Sequence, residues 1–263
     1  MSRSTQLMRK QLDYIWRLFG TGFSFVIFGL GGLFISILVF PLIFVFVRSP
    51  DTSQRVARQI IGNAFGAFIW MMKGLGVLSY EIKGVEHAGD GHNQLIIANH
   101  PTLIDVVFLV SLFPMADCVV KEGVRKNPFM RRVVVPAKYI SSNDPAQLLD
   151  SCVKRLKSGG SLLLFPEGTR SVHGQPLNFK LGAASVAIRS SAEVLPVMIQ
   201  CSQPGLLAKH VPWYRIPPEK PFFTIQVQQP VGLQELIVGD LNPRQATREL
   251  NEALLRLFEL KSA

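Results

Sequence analysis

The pattern of apolar and polar positions separates an N-terminal stretch from the rest of the chain. Residues 18–47 contain no charged side chain, which is an uninterrupted run of 30 residues. A bilayer core is crossed by about 20 apolar helical residues, whereas the apolar core of a secretory signal has only about 7–15. The length therefore favours a membrane-embedded helical segment over a buried core helix or a cleaved leader.

Two helical patterns flank this stretch. Residues 5–19 place apolar side chains on one helical face, which is typical of a helix lying in the membrane interface or of the start of the embedded helix itself. Residues 60–72 form a second apolar run that is too short to span a bilayer. Bends are expected at Gly29, at Gly31 with Gly32, and at Pro41.

From residue 78 onward, short apolar runs alternate with amphipathic segments. Strands are expected over residues 78–83, 94–98, 116–120, 161–165, 194–199 and 222–228. Helices are expected over residues 101–112, 145–158 and 183–190, and from residue 242 to near the end. The alternation predicts an α/β fold with a mostly parallel sheet and flanking helices. We expect residues 1–73 to form the membrane-embedded part and residues 74–263 the α/β domain.

The positive charge is concentrated near the apolar stretch. The net charge is +10, and residues 1–58 contribute half of it, with seven basic and two acidic side chains. Basic residues beside an apolar segment attract anionic lipid headgroups, each by about 1 kcal/mol. We find no basic, aromatic-studded face typical of nucleic-acid binding. The sequence therefore predicts membrane lipids, and no nucleic acid, as partners.

The cysteines and scattered histidines do not indicate a metal or disulfide site. Cys118, Cys152 and Cys201 are widely spaced and odd in number, which predicts buried thiols in a reducing compartment. Four histidines are scattered and are expected to be solvated: His87, His92, His173 and His210. We expect no metal ion and no cofactor.

Residues 99–105 form the first motif with chemical potential, because His100 and Asp105 stand five positions apart after a predicted buried strand. A carboxylate that bonds one imidazole nitrogen fixes the tautomer and stabilises the imidazolium that forms when the ring removes a proton. The simpler interpretation is a helix start where His100 packs and Asp105 complements the helix dipole.

Residues 165–171 form the second motif, again directly after a predicted buried strand. Pro166 ends the strand, Gly168 permits close approach of the backbone, and Arg170 is suited to bidentate pairing with a phosphate. Taken alone, the same residues are compatible with an ordinary solvated turn.

Together, in this order and at this separation, the two motifs resemble the glycerolipid acyltransferase superfamily, especially bacterial 1-acylglycerol-3-phosphate (lysophosphatidic acid) acyltransferases. The likeness covers residues 77–231 and includes residues 179–183 and 194–197. It implies that His100 is a general base oriented by Asp105. It also implies a set of residues that shape the acceptor or phosphate site: Lys121, Glu167, Gly168, Thr169, Arg170 and Lys180.

The resemblance implies an O-acyltransferase. A fatty acyl group would move from acyl-CoA or acyl carrier protein directly to the hydroxyl of a lyso-glycerophospholipid, in the first place 1-acylglycerol-3-phosphate, giving phosphatidic acid. One departure concerns residues 138–143, where the family usually has an arginine for the acceptor phosphate and this chain has none. Two alternatives therefore stay open: another amphiphilic acceptor (an aminolipid, glycolipid or polyene lipid), or a non-catalytic lipid-binding membrane adaptor.

The implied activity also bears on location. Basic residues lie on both sides of the apolar stretch, so charge alone does not orient it. A bent helical hairpin made from residues 18–47 and 59–73 keeps both chain ends on one face. Because thioester acyl donors are made in the cytosol, we expect this hairpin in the bacterial inner membrane, with the active domain on the cytosolic face.

Overall fold

The computed structural model describes residues 3–89, 93–126, 128–172, 174–203, 206–207, 211–212, 214–237, 239 and 241–260. Its helices are α1 (Arg3–Phe34), α2 (Phe40–Phe46), α3 (Pro50–Gly74), α4 (Asp105–Leu112), α5 (Glu122–Lys126), α6 (Pro128–Ala137), α7 (Pro145–Lys157), α8 (Gly182–Ser190), α9 (Leu233–Leu236) and α10 (Pro243–Leu260). Its strands are β1 (Ser79–Lys83), β2 (Gln94–Ala98), β3 (Asp117–Cys118), β4 (Leu162–Leu164), β5 (Glu193–Cys201) and β6 (Phe222–Val227).

The six strands form one sheet in the order β1-β6-β5-β2-β4-β3. Every neighbouring pair is parallel except β5 with β6, which is antiparallel. The predicted α/β class with a mostly parallel sheet is therefore confirmed. Because β2 lies between β5 and β4 and runs parallel to both, the carboxyl ends of these three strands meet at one edge of the sheet. Ligand sites in such sheets lie outside that edge.

Successive side chains of each strand point to opposite faces of the sheet, and helices cover both of these faces. Leu95 and Ile97 of β2 face a core that includes Leu156 of α7 and Leu250 of α10. Ile96 belongs to the opposite core, together with buried residues of α3 and α4. All five residues of β2 are buried, as expected for a central strand that is covered on both faces.

The N-terminal elements fold back on themselves as a helical hairpin. Helix α1 continues through a π-helical segment, Ile35–Val39, into α2, and α3 returns along it. The Trp16 indole donates to the Leu75 carbonyl at 2.8 Å, and the Phe28 ring lies 4.9 Å from that of Phe68. These contacts pair the early part of α1 with the end of α3, so the two helices run antiparallel.

The helical segments differ in detail from the predicted ones. Residues 5–19 and the apolar stretch form one continuous helix, so the interpretation of residues 5–19 as the start of the embedded helix holds. The helix remains regular through Gly29, Gly31 and Gly32, and its geometry changes only in the π-helical segment before Pro41. Pro41 has no N–H to donate, and in the widened turn before it the Phe40 N–H donates to the Ile35 carbonyl.

Among the described residues, one continuous helix, Ser4–Phe46, is long and apolar enough to cross a membrane, and 11% of its most apolar window is buried. Helix α3 differs, because Ala57, Ile61, Ile69 and Met72 are buried in the same core as β2. The proposed boundary between residues 73 and 74 thus crosses a continuous core. The division into two domains stays a prediction.

A buried cluster of charges joins the hairpin to the sheet. Arg58 of α3 is 3% exposed, and its guanidinium pairs with the Asp117 carboxylate of β3. It also donates to the carbonyls of Ala137 and Met115 at 2.8 and 3.0 Å. Arg155 of α7 pairs with the same carboxylate. Because a buried charge is costly unless it is paired, this cluster fixes α3 against the sheet.

Two elements near the first motif begin or end differently from the prediction. The helix expected from residue 101 begins at Asp105, because the Thr102 N–H and hydroxyl bond the Asp105 carboxylate at 2.6 Å each and form a turn there. The strand expected over residues 116–120 is limited to Asp117–Cys118. Helix α7, by contrast, starts as predicted, with the Ala146 N–H donating to the Asp144 carboxylate at 2.8 Å.

Candidate active site

The first motif lies just beyond the carboxyl end of β2. Its position is fixed by Asn99, whose amide donates to the Ile199 carbonyl and whose side-chain oxygen accepts the Ile199 N–H, both at 2.8 Å. The side chain of Asn99 thereby continues the pairing of β2 with β5 by one residue. His100 follows at the edge of the sheet, half-buried.

The imidazole and carboxylate of this motif are in direct contact. His100 Nδ1 lies 2.9 Å from Asp105 Oδ2, and Asp105 is fully buried. An ionised carboxylate can only accept, so the proton of this hydrogen bond lies on Nδ1 and Nε2 is left as the basic nitrogen. None of the described residues is bonded to Nε2.

Burial is the main influence on the pKa of the Asp105 carboxyl. Desolvation raises its pKa above the usual value, while the hydrogen bonds from His100 and Thr102 act in the opposite direction. With His100 on one side and two donors from Thr102, the carboxylate is bonded on both oxygens. These bonds fix the position of the Asp105 carboxylate, and the carboxylate in turn fixes the orientation of the His100 ring.

The second motif reaches the first from the end of β4. Glu167 Oε1 accepts the His100 N–H at 3.0 Å and the Ser171 hydroxyl at 2.8 Å. The Ser171 N–H in turn donates to the His100 carbonyl at 2.8 Å. The Phe165 ring stacks on the imidazole, with 4.2 Å between ring centroids. Both motifs therefore lie at the same edge of the sheet.

The predicted substrate-binding residues lie around this turn, with one exception. Gly168 has a φ of +65°, and the Lys180 ammonium lies 3.1 Å from where a β-carbon at residue 168 would be. Arg170 donates to the Leu207 carbonyl at 2.5 Å, and Thr169 is exposed. The predicted residues thus lie at or beside this turn: Gly168, Thr169, Arg170 and Lys180. Their binding roles stay predictions.

Lys121 is the exception. It follows β3 and is exposed. In the part of the chain that the structure describes, no hydrogen bond or ion pair joins it to the turn of the second motif. Its role in binding an acceptor stays a prediction.

An apolar cavity lies next to the first motif. Its lining includes Ile104 from the motif, Leu207 beside Arg170, Leu78 before β1, and Arg17 and Phe25 from α1. The cavity lies between the start of α4 and helix α1, and most of its lining residues are apolar.

Sequence reasoning missed the contacts that fix His100. Asn99, Phe165 and Ser171 lie within the two quoted motifs, but their partners depend on which strands are neighbours. The motif spacing alone does not reveal that order. The buried Arg58 pairing with Asp117 was also missed, since neither residue belongs to a local pattern.

The remaining histidines and the cysteines stand apart from this site. His87 lies 3.0 Å from the Val227 carbonyl, and His92, His173 and His210 lie outside the described residues. Burial raises the pKa of the Cys118 and Cys152 thiols to about 12 and that of Cys201 to about 11. Among the described residues, no group of three or more histidine, cysteine or acidic side chains is placed to hold a metal ion.

The region of the chain that contains both motifs is similar to known proteins. The model of the family described as acyltransferase matches residues 79–200, which include β1 to β5 and both motifs. This region of the chain is therefore similar to the acyltransferase family, and the matched residues include both motifs that meet at the sheet edge.

Individual relatives agree with the acyltransferase assignment. The chain is 31% identical over 124 residues to the chloroplast 1-acyl-sn-glycerol-3-phosphate acyltransferase LPAT1 of Arabidopsis thaliana, covering 45% of this chain and 35% of that protein. It is 27% identical over 152 residues to the 1-acyl-sn-glycerol-3-phosphate acyltransferase of Pseudomonas aeruginosa, covering 56% and 59%. The chain thus spans about a third of the plant protein and less than two thirds of the bacterial one.

The whole fold of this chain also has a solved counterpart. The crystal structure of the 1-acyl-sn-glycerophosphate (LPA) acyltransferase PlsC from Thermotoga maritima superimposes with a TM-score of 0.65 and covers 97% of each chain at 22% identity. At that identity the likeness concerns the fold. It includes the N-terminal helices as well as the sheet.

Proposed function

We propose that this protein is a membrane-bound O-acyltransferase. It moves a fatty acyl group from acyl-CoA or acyl carrier protein to the hydroxyl of a lyso-glycerophospholipid. The acceptor named for its relatives, 1-acyl-sn-glycerol-3-phosphate, is the one that we assign, and phosphatidic acid is then the product.

One observation carries this proposal. His100 Nδ1 and Asp105 Oδ2 are 2.9 Å apart at the carboxyl edge of the sheet, with Asp105 buried and Nε2 turned away from its partner. This is the geometry of a general base whose conjugate acid is stabilised by a carboxylate. Burying a carboxylate is costly unless hydrogen bonds compensate, and one of the bonds that Asp105 accepts holds the imidazole in a single orientation.

In the proposed reaction, His100 Nε2 removes the proton from the acceptor hydroxyl as its oxygen attacks the thioester carbon. The tetrahedral intermediate carries an oxyanion, which backbone N–H groups near the start of α4 stabilise. The carbon–sulfur bond then breaks, and the thiol leaves with the proton held by the imidazolium. Asp105 stays ionised throughout, and no covalent acyl-enzyme is formed.

The surroundings of His100 support an acceptor with a negative headgroup and an alkyl chain. Arg170 and Lys180 place two cations at the turn of the second motif, where a phosphate oxygen can accept their hydrogen bonds. The walls of the small cavity beside Ile104 are mostly apolar. A lyso-glycerophospholipid combines both features in one molecule.

The N-terminal hairpin supports a place in the inner membrane of a bacterium. Helices α1 and α2 expose most of their apolar side chains, whereas α3 is partly buried against the α/β domain. Hairpin insertion leaves the start of α1 and the domain on the same side of the bilayer. We place that side in the cytosol, where acyl-CoA and acyl carrier protein are made.

The deciding experiment is a labelled-donor acyl-transfer assay in membranes containing the protein, with defined lyso-lipid acceptors and with both thioester donors. Transfer to 1-acylglycerol-3-phosphate is expected. The His100→Ala variant should lose at least about 100-fold in kcat, because general-base catalysis contributes about 10²–10⁴-fold.

Other results would point elsewhere. Transfer only to an aminolipid, glycolipid or polyene lipid would keep the reaction but replace the acceptor, as the absence of arginine from residues 138–143 allows. Equal transfer by the wild type and His100→Ala would remove the base from the mechanism. No transfer to any acceptor, with lipid binding retained, would favour the membrane adaptor.

A further inference from the structure

The two motifs are joined by hydrogen bonds that the proposed reaction does not use. Glu167 Oε1 accepts both the His100 N–H and the Ser171 hydroxyl, while the Ser171 N–H donates to the His100 carbonyl. The main chain of His100 is therefore held through its donor and its acceptor. Both bonds come from a turn sixty-odd residues away in the sequence.

The geometry points to Glu167 as a positioning residue, whose side-chain oxygen holds the main chain of His100 and does not bind the acceptor. This inference rests on the proposed function and changes the role that the family resemblance gives to Glu167. The side chain is 7% exposed, whereas Thr169 in the same turn is exposed. A carboxylate placed inward to accept two protein donors is poorly placed to contact a phosphate, which it would also repel.

His100 needs such support because regular structure does not provide it. The pairing of β2 with β5 ends at Ala98, and α4 begins only at Asp105. The nitrogen of a general base must lie within about 2.6–3.2 Å of the oxygen whose proton it takes. A displacement of about 1 Å can lower the rate by about 100-fold. The hydrogen bonds from the second motif restrict the movement of the His100 main chain.

Phe165 completes the same arrangement from the side of the ring. Its ring stacks on the imidazole with an interplanar angle of 25°. Asp105 fixes one ring nitrogen, Phe165 covers one ring face, and Glu167 holds the main chain. The end of β4 thus sets the orientation of the base, which explains why a second motif accompanies the histidine.

The test compares glutamine and alanine at residue 167. Glutamine keeps an acceptor oxygen in place but has no charge, so Glu167→Gln should keep kcat within about fivefold of wild type, since neutral hydrogen bonds have about half the strength of charged ones. Glu167→Ala should lower kcat by about 100-fold. The KM for 1-acylglycerol-3-phosphate should change by less than about twofold in both, because uniform binding is untouched.

Three further variants separate positioning from loss of fold. Ser171→Ala removes one bond to Glu167 and should give an intermediate loss of kcat, even if Glu167→Ala does not fold. Phe165→Tyr should retain activity that Phe165→Leu loses, because only tyrosine preserves the stacked ring. Glu252→Gln, at an exposed residue of α10, is the matched control for a glutamate-to-glutamine change and should behave as wild type.

A spectroscopic measurement keeps this inference separate from the proposed function. In ¹⁵N-histidine-labelled protein, the His100 imidazole resonances should move in Glu167→Ala and stay in place in Glu167→Gln, whether or not acyl transfer is detected. Equal loss of activity in the Gln and Ala variants, a raised KM for the acceptor, or unmoved resonances in Glu167→Ala would overturn the positioning role. Unchanged acyl transfer by His100→Ala would instead contradict the proposed function alone.

Discussion

At the scale of single residues, the proposed chemistry depends on which imidazole nitrogen carries the proton. Asp105 determines this, because it is buried and accepts from His100 Nδ1 and from both donors of Thr102. The Thr102 bonds hold the carboxylate still, so that it acts on the ring from a fixed position. The pair therefore operates as a unit rather than as two independent groups.

Replacing Asp105 with asparagine tests that unit. The amide can donate to Nδ1, which would place the proton on Nε2 and remove the base. In a serine-protease triad the same change lowers kcat by about 10⁴-fold, and we expect a loss of about 10²–10⁴-fold here, with the KM for the acceptor little changed. Steady-state kinetics measure it. A variant with near-normal kcat would show that the tautomer does not matter.

At the scale of elements, the close approach of α3 to α4 anchors the hairpin to the sheet. Gly62 makes this possible, because a β-carbon there would lie 2.7 Å from the Pro114 Cβ and 3.2 Å from the Val110 carbonyl oxygen. Four residues later, a β-carbon at Gly66 would meet only the Ser111 Cβ, at the ordinary distance of 3.8 Å. The two glycines therefore differ in what they permit.

Alanine substitutions at these two glycines should have opposite effects. Gly62→Ala overpacks the α3–α4 contact and should destabilise the protein by about 1–3 kcal/mol. Gly66→Ala fits and should be neutral or stabilising by up to about 1 kcal/mol, the helix preference of alanine over glycine. Thermal unfolding in detergent measures both. Equal midpoints for the two variants would contradict the close packing.

At the scale of the whole molecule, buried arginines connect the hairpin to the α/β domain at two places. Arg58 of α3 pairs with Asp117 of β3. Arg17 of α1 is 1% exposed and donates to the carbonyls of Pro217 and Pro218, at 2.9 and 2.6 Å. These contacts hold the apolar surface of α1 and α2 in a fixed position relative to His100. In the proposed membrane-bound enzyme, a lipid acceptor would then reach the site without leaving the bilayer.

Hairpin insertion predicts how the protein partitions. Salt at 1 M reduces the screening length to about 3 Å and removes attraction between basic residues and headgroups. Buried apolar surface is unaffected, so we expect the protein to remain in washed membranes. Fractionation by centrifugation measures this.

The matched variant for this prediction changes exposed apolar positions of α1. Leu30→Asp with Phe34→Asp introduces two charges where both side chains are 58–59% exposed, and should shift the protein toward the soluble fraction. Release of the wild type by salt alone would indicate surface attachment rather than insertion.

How much the sequence determined can be judged from particular elements. The four apolar residues of β2, the Asp144 cap and the His100–Asp105 spacing are local patterns, and the strand, the helix start and the histidine–aspartate pair follow from them. Local patterns are readable because burial and capping act over a few residues. The apolar N-terminal helix was predictable for the same reason.

Only the tertiary structure decided which distant groups meet. The order of β5, β2 and β4 brings Glu167 and Phe165 to His100, and the return of α3 brings Arg58 to Asp117. Such pairings depend on strand order and helix crossing, which no short stretch of sequence records. The sequence by itself therefore specified the proposed histidine–aspartate pair, while packing determined how His100 is held and where its ring faces.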